Sequence, residues 1–89
     1  MSGSVGMDIQ RVRQLASLLA SKADEIESIA NSLTHQLGSV EWRGPDADRF
    51  RSDWNSGHRT QLMNVAHSLR DTSSVATRNA NEQEQVSSH

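Results

Sequence analysis

The sequence predicts an all-α fold, an antiparallel helical hairpin that dimerises into a four-helix bundle. From Met7 to Val40 apolar residues recur at steps of three and four without a slip, which is the pattern of one long helix packed along its whole length. A single corner, Glu41-Trp42-Arg43-Gly44-Pro45-Asp46, interrupts an otherwise helical chain and forces it to reverse. The chain also has only 89 residues, 34% of them hydrophobic, and no cysteine, so one hairpin has little with which to build a core alone.

The first six residues, Met1 to Gly6, are small and flexible in composition and are expected to be disordered. The hairpin is expected over residues 7–78, with its turn at 41–45. The first helix carries its seam on Ile9, Val12, Ala16, Leu19, Ala23, Ile26, Ala30, Leu33, Leu37 and Val40. Leu15, Leu18 and Ile29 widen the stripe beyond what one neighbouring helix can cover. The alanines at 16, 23 and 30 recur every heptad, and small side chains in register let a second helix approach closely. They are expected to face the second helix of the same chain.

At the corner, Gly44 accepts backbone angles closed to other residues, and Pro45 suits the first position of a new helix. Asp46 and Asp48 then place negative charge at the positive end of that helix dipole. Trp42 is a large apolar group in a turn, and is expected to plug the end of the packed helices. The second helix takes Ala47, Phe50, Trp54, Leu62, Val65, Leu69 and Ala76 as its apolar set, once a polar slot near His58 and Gln61 is allowed. After Leu69 the run Asp71-Thr72-Ser73-Ser74-Val75 is poor in helix formers, and residues 79–89 are polar without periodicity. A loosening helix and then a flexible tail are expected there.

Helices of about 30 residues would each be roughly 50 Å long. A lone hairpin of that length leaves one side of both stripes in water, beyond the few hundred Å² of apolar patch that monomers usually expose. Pairing of two hairpins hides it, with Leu19, Ile26, Leu33, Phe50, Trp54, Leu62, Val65 and Leu69 as hairpin or dimer core. Nine basic against eleven acidic side chains, spread along the chain, argue against a nucleic-acid surface or a stable membrane anchor. The start of the chain lacks the charged and apolar regions of a cleavable signal peptide.

Trp42-Arg43-Gly44 at a corner between two helices, followed by Ala47, Phe50 and Trp54, resembles the WXG family of early-secreted-antigen-like proteins. The resemblance covers Met7 to about Ala76. It implies a non-enzymatic hairpin that pairs with an identical or sister WXG chain, and is recognised by the membrane-bound ATPase of a type VII secretion system. Secretion without a cleaved signal follows from it, with Trp42 and Gly44 in the recognition surface. Family dimers usually carry, on at least one chain, a Tyr followed four residues later by Asp or Glu after the second helix. This chain has no tyrosine, and Arg78 and Ala80 stand four residues before Glu82 and Glu84. The resemblance therefore implies either that a partner chain supplies the missing half of the signal, or that the chain is a homodimer exported through a degenerate signal or not exported at all.

Other chemistry finds little footing. His58 and His67 are nine residues apart, which puts them on opposite helix faces, and His35 lies on the other helix. No metal site, cofactor site or small-molecule substrate is expected. Asp24, Glu25 and Glu27 read as a solvated acidic face. Ala66-His67-Ser68-Leu69-Arg70 resembles the Ala-His-x-Leu-Lys core of histidine phosphotransfer domains, which would make His67 a phosphoryl acceptor. That family has glycine after the basic residue where this chain has Asp71, and it needs four helices in one chain.

Overall fold

The structure is a computed structural model, and it describes residues 7–87. The expectation for residues 1–6 lies outside the described residues. Helix α1 spans Ile9–Ser39, α2 spans Pro45–Asp53, a π-helical turn occupies Trp54–His58, and α3 spans Arg59–Ser87. The second arm of the hairpin is thus α2, the π turn and α3 in one continuous run, antiparallel to α1. No strand occurs among the described residues. The molecule measures 66 × 17 × 14 Å with a radius of gyration of 19.6 Å. A compact domain of this length would have a radius near 12 Å, so the hairpin does not fold over on itself.

Local chemistry sets each boundary. Asp8 caps α1, its Oδ1 accepting the Arg11 N–H at 3.1 Å. Gly44 has φ 122°, a region that favours glycine, and Pro45 opens α2 with Asp46 and Asp48 in the first turn. Between them Val40 leaves the helix in an extended conformation.

The core is built of alanine. Ala16, Ala23 and Ala30 on α1, Ala47 on α2, and Ala66 and Ala80 on α3 are buried, together with Trp54. Side chains this small let the two arms come close, so the interior is a narrow line of methyl groups. The larger seam residues Leu19, Ile26, Leu33, Leu62 and Leu69 are half-buried and flank that line.

The structure corrects the reading of the second arm in two places. Its seam does not include Val65, which is exposed; it runs through Arg59, Leu62, Ala66, Leu69, Ser73, Ala76, Ala80 and Gln83, again at steps of three and four. The extra residue that separates this run from Ala47, Arg51 and Trp54 is absorbed by the π turn, in which the Arg59 N–H bonds to the Trp54 carbonyl. The polar slot near His58 is that turn. The second correction concerns the tail: where the sequence predicts a flexible segment from Asn79, α3 continues to Ser87. Poor local propensity is overridden by packing, because Ala80 is fully buried and the Arg13 guanidinium donates to Asn81 Oδ1 at 2.8 Å and to Glu84 Oε1 at 2.7 Å.

Candidate functional site: the open face and the corner

The two long sides of the hairpin differ in kind. One is laced by ion pairs. Arg13 meets Glu84, and Arg70 donates to both oxygens of Glu27, at 2.6 and 2.9 Å, and to Asp24. Asp24 and Glu27 are therefore not the solvated acidic face the sequence indicates; they clasp the opposite arm, while Glu25 pairs with Lys22 at 3.2 Å. Hydrogen bonding to the Arg13 guanidinium, reinforced by its charge, holds the Glu84 carboxyl below the usual carboxylate range.

The other side is apolar and uncovered. Counting about 100° per residue from the buried alanines, Leu15, Leu18, Ile29 and Val40 fall on this side of α1. Because the arms are antiparallel, Val65 falls on the same side of α3. All five are exposed, Ile29 at 59%. The half-buried Leu19, Ile26, Leu33 and Leu69 border them, and a shallow groove runs past Ile29, Leu33 and Gln36. Helical spacing alone made this stripe legible in the sequence.

At the corner, Trp42 is not a plug. It is 43% exposed, its ring centroid 6.4 Å from that of Phe50, which lies 6.4 Å from the His58 ring. The position inside the corner belongs to Arg51. Its Nε donates to the Leu37 carbonyl at 2.8 Å, Nη1 to the Trp42 carbonyl at 2.6 Å, and Nη2 to the Val40 carbonyl at 3.0 Å. The planar guanidinium fork thus serves one carbonyl of the last turn of α1, which has no intrahelical donor, and two of the corner, of which Val40 also accepts the Trp42 N–H at 3.0 Å, while lying 5.7 Å from the Trp42 ring centroid. Nothing in the sequence singles out Arg51, since an arginine three residues before a seam tryptophan looks like any solvated charge.

Trp42, Phe50 and His58 thus form a tilted aromatic row, with Phe50 exposed, whereas Trp54 on the same arm is buried. Gly44 starts the helix that carries Phe50, its carbonyl accepting the Asp48 N–H at 3.0 Å. His67 is exposed on α3, its Nε2 3.4 Å from Asp71. Among the described residues no cluster of three or more His, Cys, Asp or Glu side chains could hold a metal ion, and no helix is long and apolar enough to cross a membrane. Comparison with protein-family models, with curated proteins and with solved structures found no match.

Proposed function

We propose that the chain is a non-enzymatic interaction module: a helical hairpin whose open face pairs with a second hairpin to make a four-helix bundle. The observation that carries this reading is the two-sidedness of the hairpin. Leu15, Leu18, Ile29 and Val65 stand in water on one side while arginine clasps occupy the other. A stripe of that kind along a rod 66 Å long exceeds what a soluble monomer usually leaves uncovered. A second hairpin has the matching length and the matching stripe. Its interface would bury on the order of 2,000 Å².

The further step, to a substrate or chaperoning partner in type VII secretion, rests on the resemblance of Trp42-Arg43-Gly44 and its setting to the WXG family. In that reading the partner is an identical or sister WXG chain, and the secretion ATPase recognises a surface built on the aromatic row at the corner. The protein is then exported to the cell surface or medium as a folded dimer. The exposure of Trp42 supports a contact role for it, because a tryptophan kept only for packing would be turned inward.

Solution mass measured by light scattering tests the first step. The native chain is expected at twice its 9.8 kDa mass, alone or with a sister chain, and Ile29→Glu with Leu18→Glu is expected to remain helical and monomeric. A helical wild-type monomer that pairs with no sister hairpin at micromolar concentration refutes the pairing. The second step is tested by export from cells with and without an active type VII system, where Trp42→Ala is expected to retain the dimer and lose export.

A further inference from the structure

The clasps on the polar side repeat. Arg13 on α1 faces Asn81 and Glu84; eleven residues further along α1 stand Asp24 and then Glu27, facing Arg70, which lies eleven residues before Asn81. Eleven residues make three helical turns, so successive clasps return to the same side of the hairpin. One more step of eleven toward the corner leads from Asp24 to His35, from Glu27 to Gly38, and from Arg70 to Arg59. The arginine is in place, but its two partner positions hold a histidine and a glycine.

The structure bears the marks of an unfinished clasp at this point. Arg13 and Arg70 complete their clasps through Nη atoms, whereas among the described residues nothing pairs with the Arg59 guanidinium, whose Nη groups are the ones an outside acid would meet. Its Nε is in addition the only side-chain nitrogen or oxygen there that is both shielded from solvent and unpartnered. Buried donors of this kind are few in folded proteins. A Cβ added at Gly38 would meet nothing within 4 Å, and both His35 and Gly38 are exposed, so the place where the third acid would sit is open from outside.

We propose that Arg59 is the docking point for a carboxylate side chain of a partner protein, which completes from outside the clasp that Arg13 and Arg70 complete from within. A guanidinium takes a carboxylate through its N–H donors, and the two finished clasps show the hairpin doing so at this register, Arg70 with a pair of donors to Glu27 and Arg13 with Nη2 alone to Glu84. The incoming group lies over Gly38 and engages Arg59 from the polar side. This surface is opposite the apolar face, so a partner held here leaves the pairing face free.

The test follows the Arg59 Nε–H resonance by NMR in the full chain while a hexaglutamate peptide is added. The Arg59 signal is expected to shift saturably while those of Arg13 and Arg70 stay in place, and Arg59→Gln is expected to remove the response. Gly38→Glu, and separately His35→Glu, supply the acid within the chain. Each is expected to move the Arg59 signal without peptide and to abolish the response to it, with helicity unchanged by circular dichroism. Equal shifts at all three arginines, no shift at Arg59, or a response to inorganic phosphate as large as that to the peptide would each overturn the assignment.

Discussion

The indole N–H of Trp54 donates to the hydroxyl of Thr34 at 2.9 Å, and that hydroxyl donates in turn to the Ala30 carbonyl at 2.8 Å. The pair ties the π turn to α1 at the one place where the second arm departs from α-helical geometry. Trp54 is the largest buried side chain among the described residues, 4% exposed, and Thr34 takes its single donor. Thr34→Val keeps the shape and removes the acceptor. It should cost about 1–3 kcal/mol, the range for stranding a buried donor, read as a lower urea midpoint at unchanged m-value. Thr34→Ser should lose much less, and Trp54→Phe combined with Thr34→Val should cost less than the sum of the single changes.

The alanine line makes the hairpin sensitive to added volume more than to lost volume. Ala23 and Ala66 are both fully buried in the line between the arms. Ala23→Leu or Ala66→Leu must push the arms apart or force poor rotamers, a cost of about 1–3 kcal/mol and more if the neighbouring clasps break. Thermal melting checks this, with Leu15→Ala on the exposed face as the comparison. Equal destabilisation by the alanine and leucine changes would mean that the alanines are not closely packed.

Much of this fold was legible because the first helix writes its seam in residues that mean one thing. Ala16, Ala23 and Ala30, spaced by heptads, marked both the period and the closeness of the neighbour, and Gly44-Pro45 marked the reversal. The second arm was harder to read because its seam is written in residues with other uses. Arg59, Ser73 and Gln83 carry no hydropathy signal, and Ser73 sits in the seam by donating its hydroxyl to the Ala16 carbonyl at 2.6 Å. The phase break at the π turn then let Val65 be mistaken for a seam residue. The clasps escaped notice because pairing Asp24 and Glu27 with Arg70 requires the register of the hairpin, which only the fold supplies.

Arg51 should be the most important charged side chain for the corner. Arg51→Ala takes the donor from the carbonyls of Leu37 and Trp42, leaves Val40 only the Trp42 N–H, and removes the cation beside the Trp42 ring. With water able to reach the corner in part, a loss of about 1–3 kcal/mol is expected, together with faster amide exchange over the last turn of α1. Arg51→Lys should recover little, because an ammonium cannot reach three carbonyls with a planar fork. Full recovery by lysine would show that charge rather than geometry holds the corner.

Acid should loosen the open end first. The folded-state pKa of Glu84 is depressed by its hydrogen bond to Arg13 and then by the charge itself. A depressed carboxyl stabilises the fold above its unfolded pKa, and that contribution is lost as pH falls through the lower, folded value. Helical carbon shifts of residues 80–86 should therefore move toward coil as the medium is acidified below the ordinary glutamate range, while those near the corner hold. In Glu84→Gln this step should be absent. Its persistence would assign the transition to another group.

The π turn accounts for the mismatch between the two halves of the second arm, and this makes one deletion informative. Ala47, Arg51 and Trp54 are spaced as a seam, and so are Arg59, Leu62 and Ala66, but Trp54 to Arg59 is one residue too long. Gly57 lies inside that turn with open space where its Cβ would be. Removing Gly57 leaves four residues' travel between Trp54 and Arg59, so an ordinary α-helix would carry both halves of the seam in phase. It also deletes a residue that costs about 1 kcal/mol relative to alanine inside a helix. The shortened chain should thus melt no lower than the parent and show undiminished helicity. Removing Ser68 instead rotates Leu69, Ser73, Ala76 and Ala80 about 100° relative to Leu62 and Ala66, and should unfold the open half of the hairpin. If the two deletions are equally harmful, the π turn is required by the packing around Trp54 rather than tolerated as an inserted residue.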